Sequence, residues 1–283
     1  MENRALAERI ERLPCWQGRV ALEPLKGGLT NISFVATDQG GGKYVVRVGE
    51  DIPVHHVFRD RERAVSRAAF EAGLSPEVMY VEPGITVLRF IDGRTFGEAD
   101  MRANIPAIVE ALRTCHREVG RHLRGPANAF WVFHVIRDYV RLIGADPKYL
   151  ALADKLEGKQ VPLPIVFGHH DLLPGNFMHD GRRLWLIDWE YGGFGTAMFD
   201  LANLSSNGSF DAAQDSRLLD GYFDGQVTAE LRAAFEAMKA ASLLREALWA
   251  MVSDAHLKTP GVDYQAHARE YLSRFDRLRS CVD

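Results

Sequence analysis

The sequence predicts a mixed α+β protein in two units, a small β-rich unit with one main helix at 1–91 and a larger, mostly helical unit at 92–283. Three observations carry that expectation. Short β-branched runs separated by glycine turns fill the first third of the chain. Long segments with helical apolar spacing fill most of the rest. The character changes near residues 90–94, where Asp92-Gly93 makes a turn, so the boundary reads as a hinge and not as a long linker.

Residues 3–13 alternate charged and apolar positions and read as a short amphipathic helix. Val20 to Leu25, Ile32 to Thr37 and Tyr44 to Val48 read as strands, with Gly27-Gly28-Leu29-Thr30-Asn31 a tight turn between the first two. Phe58 to Ala72 has helical spacing, ended by Gly73 with Pro76 beyond it. Val78 to Val81 and Ile85 to Ile91 complete the β-rich unit. Glu98 to Leu123, Trp131 to Ile143 and Lys148 to Leu156 read as helices. Pro162 to Phe167 then reads as a strand, and Phe177-Met178 with Leu184 to Ile187 as a hairpin across Asp180-Gly181. From Met198 onward the pattern is helical, including Ala229 to His256 and Tyr264 to Arg279.

Composition narrows the class. With 34 basic and 38 acidic residues the net charge of −4 gives no footprint for nucleic acid or a membrane surface. The arginines from Arg59 to Arg67 read as the solvated face of a helix. No run of about 18 apolar residues predicts a spanning helix, and the start has no apolar core of a secretory signal. Cys15, Cys115 and Cys281 are far apart and odd in number, which fits three unpaired thiols in a reducing cytoplasm. Cys115 beside His116 suggests a thiol nucleophile, but the helical pattern around it favours a small buried side chain.

The chemistry sits in His169-x-Asp171-x-x-x-x-Asn176, followed by Ile187-Asp188-Trp189. Each follows a strand-like apolar segment. Together they supply what phosphoryl transfer from a nucleoside triphosphate requires. Asp171 is expected to accept the proton of an acceptor hydroxyl. His169 is expected to scaffold its loop. Asn176 and Asp188 offer the oxygen ligands that suit Mg²⁺. The turn at Gly27, Gly28, Thr30 and Asn31 lets backbone amides approach phosphate oxygens, though taken alone, without a Gly-x-Gly-x-x-Gly pattern, it reads better as a plain β-turn. Arg47, flanked by valines on its strand, needs a buried anion. Glu62 on the following helix is the natural one, with Arg59 as a competing partner. A metallohydrolase built from His169, His170, Asp171, His179 and Asp188 is the rival reading, and it leaves Arg47 and Glu62 without a role. Asp200 is expected at a helix start, accepting amides of the catalytic loop. Late in the chain, Glu246, Trp249, Asp254, Tyr264 and Tyr271 read first as helical core, while Glu246 and Trp249, one turn apart, could also supply the carboxylate and ring that hold a quaternary ammonium.

These stretches, with Arg89-Phe-Ile-Asp-Gly-Arg94, Phe199-Asp-Leu-Ala-Asn203 and Leu244-Arg-Glu-Ala-Leu-Trp249, resemble the choline/ethanolamine kinase-like family of the aminoglycoside-phosphotransferase superfamily. The resemblance runs from about residue 20 to 275, and its Leu-Thr-Asn, third-strand arginine and late Arg-Glu-Ala-x-Trp are closest to the bacterial choline kinase branch. It implies a bilobal protein-kinase-like fold with ATP and Mg²⁺ between the lobes. Asp171 would be the base, Asn176 and Asp188 the metal ligands, and Arg47 with Glu62 the phosphate-positioning pair. Glu190, Glu246, Trp249 and Tyr271 would face the acceptor, with Tyr264 in the same region. Arg47 stands where protein kinases have lysine, and Trp189-Glu190 where they have Phe-Gly, which argues against a flexible activation switch. The expected activity is phosphorylation of a small cationic alcohol, choline first and ethanolamine second, by a cytoplasmic monomer or homodimer. Other acceptors (an aminoglycoside, another amino alcohol, a sugar) and a nucleotide-binding module without turnover remain the alternatives.

Overall fold

The computed structural model describes residues 2–25 and 31–279. Glu2–Glu11 (α1) leads into an antiparallel sheet of Val20–Leu25 (β1), Ile32–Asp38 (β2) and Lys43–Val48 (β3). After a 3₁₀ turn at Pro53–His55 comes Arg59–Glu71 (α2), and Val78–Glu82 (β4) and Ile85–Arg89 (β5) complete the sheet in the order β1-β2-β3-β5-β4. Side chains alternate across it. Phe34, Ala36, Tyr44, Val46, Ile85 and Val87 turn to one face and bury a small core with Ile10 and Leu13. Arg47, between two of those inward positions, is thrown to the opposite face, opposite Ser33 and Thr86 in register.

The buried side of α2 carries Glu62, Val65, Ser66 and Ala69, one stripe at helical spacing. Its apolar members join the large core, not the small one under the sheet. Ala72 ends the helix and Gly73 follows at φ +79°, as the sequence predicts. Arg94–Thr95 (β6) was not foreseen; two residues are too few for a pattern. The single helix expected from Glu98 to Leu123 is divided into Glu98–Ala103 (α3), Ile105–Thr114 (α4), a π-helical turn at Cys115–Val119 and Gly120–His122 (α5). Asn104 breaks the run and Pro106 restarts it in the first turn of α4.

Val132–Ile143 (α6) and Lys148–Glu157 (α7) precede Ile165–Gly168 (β7), Phe177–His179 (β8), Leu184–Leu186 (β9) and Gly193–Thr196 (β10). The hairpin of β8 and β9 forms as expected and β6 adds to its edge. Strand β10, missed because Gly-Phe-Gly-Thr reads as a turn, pairs with β7. A Cβ on Gly193 or Gly195 would come within 2.8 Å of the carbonyl oxygens of Asn128 and Phe130, so glycine admits that neighbouring backbone. Ala197–Asn207 (α8), Ala212–Tyr222 (α9), Ala229–His256 (α10) and Tyr264–Arg279 (α11) complete the chain. Helix α10 is buried along most of its length and is the axis against which α6, α8 and α11 rest. Among the described residues no helix is long and apolar enough to cross a membrane.

Candidate active site

Strand β7 delivers the chain into a tight loop with His170 at φ +63°. The carboxylate of Asp200, in the first turn of α8, holds that loop from beneath. Its Oδ2 accepts the His169 N–H and its Oδ1 the His170 N–H, both at 2.8 Å, and the His116 Nε2 lies 2.9 Å from Oδ2. Burial alone would raise the Asp200 pKa; the surrounding imidazoles His170 and His116 outweigh it and hold the group below the carboxylate range. The amide-accepting role expected of Asp200 is thus present in the geometry. His169 donates from Nε2 to the Ile187 carbonyl at 2.9 Å and accepts the Asp171 N–H at Nδ1 over 3.3 Å. One ring therefore fixes both halves of the motif.

Asp171 and the Ile187 backbone, next to Asp188, are tied through Asn176 as well. The Asn176 Nδ2 donates to the Asp171 carbonyl at 2.8 Å and lies 3.5 Å from its Oδ2, and the Asn176 carbonyl accepts the Ile187 N–H at 3.0 Å. These bonds commit the amide nitrogen to Asp171, so the side-chain oxygen is the atom that could ligate a metal. Asp188 adopts φ +67°, a conformation that Asp tolerates better than most residues. An amide oxygen beside a carboxylate is the hard donor set that fits Mg²⁺.

Arg47 crosses from the sheet to this cluster. Its Nη1 is 2.7 Å from Glu62 and its Nη2 2.7 Å from Asp188. Burial opposes the charged guanidinium, and Asp188, Glu62 and Glu190 more than compensate, raising its pKa. Arg59 does not lie on a solvated face as its sequence context suggested. It is buried, with Nη1 2.6 Å from Glu62 and 3.0 Å from Glu190. The helical repeat that exposes Arg67 turns Arg59 inward, where carboxylates await it. Glu190 stands with these arginines. Burial, with Asp188 and Glu62 beside it, pushes its carboxyl up to about 7 against the pull of Arg47 and Arg59.

On the other flank, Asp171 meets α10. Burial pushes its carboxyl well above the usual range, against the pull of Arg245, and Glu246, Glu190 and Asp188 add to the rise. The Arg245 Nη1 lies 3.8 Å from Asp171 and 2.9 Å from Glu246, and the guanidinium sits 4.6 Å over the Tyr191 ring. Arg245 was not singled out from the sequence. It was hidden in a helical pattern, although a charged residue among Ser242, Leu243, Leu244 and Ala247 is itself a signal. Glu246 is already partnered, by Arg245 and by the His267 Nε2 at 3.1 Å. Trp249 donates to the Tyr191 hydroxyl at 3.1 Å and has Tyr264 and His267 at its edges, with Tyr271 stacked on His267.

Gly27, Gly28 and Thr30 lie outside the described residues, and Asn31 begins β2's approach to the sheet. The rival transition-metal grouping does not assemble. Among the described residues the only set of three metal-capable side chains is Cys115, His116 and Asp200, in which Asp200 is committed to the loop. Cys115 is fully buried, its thiol pushed up by burial and pointed at the Phe167 carbonyl, so it is no nucleophile.

The model of the phosphotransferase enzyme family matches residues 21–239. Protein LicA of Haemophilus influenzae is 26% identical over 213 residues, 69% of this chain and 61% of that protein. A probable ethanolamine kinase of Arabidopsis thaliana is 26% identical over 211 residues, 65% of this chain and 55% of its own length. The match thus spans less than two thirds of these relatives. A choline/ethanolamine kinase family protein from Mesorhizobium loti superposes with a TM-score of 0.79 at 29% identity, covering 98% of this chain and 95% of that one.

Proposed function

The chain belongs to the phosphotransferase enzyme family, and on that premise we propose that it phosphorylates the hydroxyl of a small amino alcohol of the choline and ethanolamine class, using ATP and Mg²⁺. The observation that carries the reading is the hydrogen-bonded link between Asp171 and the Ile187 backbone next to Asp188. His169 and Asn176 each bond to Asp171 and to Ile187, which supports reading Asp171 as the base and Asp188 as a metal ligand of one cleft. The names of the Arabidopsis thaliana and Mesorhizobium loti proteins suggest the acceptor class.

In this reading Asp171 orients the acceptor hydroxyl and takes its proton late in transfer. Its burial suits a base that must also release that proton. Asn176 and Asp188 would hold Mg²⁺, which when bound neutralises charge on the phosphates. Arg47, held by Glu62, would move its free valence from Asp188 to the phosphates. Catalysis is then chiefly positioning and charge neutralisation on rigid elements.

The test is Asp171→Ala. Turnover in a coupled ADP-release assay should fall by about two to four orders of magnitude, the usual worth of positioned acid–base catalysis, with ATP affinity little changed. Near-wild-type turnover would end the assignment. Asp188→Ala should abolish the Mg²⁺ dependence of nucleotide binding, and a retained dependence would remove its metal role.

A further inference from the structure

Trp249 is the ring on which a quaternary ammonium would be expected to sit, and one of its faces is already covered. The His55 imidazole stacks there, with centroids 5.2 Å apart and planes 28° apart. His55 comes from the Pro53–His55 turn between β3 and α2, far from α10 in sequence, and is 1% exposed. Two hydrogen bonds hold it, between Nδ1 and the Tyr139 hydroxyl at 3.0 Å and between Nε2 and the Ser253 hydroxyl at 2.9 Å. Burial, with Arg245 nearby, depresses its pKa to about 3, so the ring is neutral. It therefore fills the place of a cation without being one.

The same imidazole has a second neighbour. It lines a cavity of about 270 Å³ together with Phe58, Phe130, His134 and Tyr191. Tyr191 is also the residue whose hydroxyl accepts from the Trp249 indole. His55 is thus the wall between that cavity and the Trp249 face. A trimethylammonium group has no N–H and depends on an open ring face. A primary ammonium is recognised through its N–H donors, which need carboxylate or hydroxyl oxygens. Glu246 and Tyr191, both against the Trp249 cluster, carry such oxygens, those of Glu246 being shared with Arg245 and His267.

We infer that His55 is a specificity-determining residue: by covering Trp249 it disfavours a quaternary-ammonium alcohol and turns the site toward an acceptor with a primary ammonium. This rests on the kinase reading above, and the experiment separates the two. Steady-state phosphorylation of ethanolamine and of choline would be measured for the wild type, His55→Ala, His55→Ser and His55→Phe, alongside calorimetric binding of tetramethylammonium, which cannot react. The wild type should prefer ethanolamine. His55→Ala and His55→Ser should raise kcat/KM for choline and the affinity for tetramethylammonium by about 2- to 30-fold, the range of a cation–π contact. The deciding kinetic readout is the ratio of kcat/KM for choline to that for ethanolamine, which should rise. His55→Phe keeps a ring on Trp249 and should not open the site to choline. His55→Ser retains a hydroxyl toward Tyr139 or Ser253 and guards against an alanine variant that fails to fold. Unchanged choline kinetics and tetramethylammonium affinity in the folded small-residue variants would overturn the inference. If no variant phosphorylates either alcohol, the kinase reading of the acceptor falls, while the tetramethylammonium comparison still decides the role of His55.

Discussion

Replacing Glu190 by Gln should stabilise the protein at neutral and alkaline pH. Glu190 belongs to a group of three carboxylates, with the buried Glu62 and the half-buried Asp188, facing the two guanidinia of Arg47 and Arg59. Burial and its carboxylate neighbours raise its pKa from 4.5 to about 7 despite both arginines. The folded protein therefore binds this proton more tightly than the unfolded chain does. The sign follows: Glu190 contributes stability that is complete below pH 4.5 and is lost as pH rises to about 7. At about 1.4 kcal/mol for each tenfold change in affinity, the loss is about 3 kcal/mol. The glutamine variant keeps the shape and has no proton to lose. Between pH 5 and pH 8 its stability should therefore gain on that of the wild type, the contributions of the other titrating groups being common to both proteins. At pH 8 the variant's thermal midpoint should lie about 6 °C higher, taking about 2 °C per kcal/mol for a chain of this size. Denaturation of both proteins at the two pH values measures it. A variant less stable than the wild type at pH 8 would mean that the contact with Arg59 outweighs the burial of the charge, and the argument would be wrong.

Two further predictions test the frame around the site. Asp200→Ala leaves two buried loop amides and His116 without their acceptor, and should cost about 3 to 5 kcal/mol in denaturant unfolding, by the penalty for orphaned buried donors. A loss below about 1 kcal/mol would show that the loop does not depend on Asp200. Because that carboxyl is held below its ordinary range, its contribution should persist at neutral pH and be lost only as pH falls into strong acid. Arg47→Met frees Glu62 and Asp188 from their shared cation, so Mg²⁺ without nucleotide should raise the variant's thermal midpoint more than the wild type's, by the equivalent of about 1 to 3 kcal/mol at 10- to 100-fold excess over its dissociation constant. Equal Mg²⁺ responses in the two proteins would refute competition between Arg47 and the metal for Asp188.

Much of this arrangement was legible in the chain because its signals are local. Alternation in Tyr44 to Val48 identified both the strand and the odd placement of Arg47, and an arginine between inward valines demands an anion. The spacing in His169 to Asn176 fixed a loop whose parts contact one another within a few residues. What escaped depends on contacts between distant segments. Arg59 follows the same helical repeat as its solvated neighbours, and only the approach of Glu190 makes it an interior residue. Strand β10 has the composition of a turn, and becomes a strand because β7 and residues 128–130 come close enough to need glycine. His55 is nearly two hundred residues from Trp249, and no periodicity in either segment reports on the other.

The placement of α2 explains why Trp189-Glu190 can stand where protein kinases carry a mobile Phe-Gly. Val65, Ala68 and Ala69 of α2 are buried in the same core as Trp189, Leu172 and Phe177, which flank the catalytic residues. The Trp189 indole donates to the Ser75 hydroxyl at 3.1 Å, just beyond α2, and its ring lies 4.5 Å from that of His169. Glu62, Trp189 and the catalytic loop are therefore parts of one packed body. Swinging α2 outward would open a cavity beside an indole and expose several buried apolar groups, at about 1 to 3 kcal/mol for each. The sheet, by contrast, has its own core and sends Arg47 into the cleft as its link to Glu62 and Asp188. Displacement of the sheet with Arg47 is accordingly cheaper than displacement of α2, and it leaves Glu62, Trp189 and Asp171 in place.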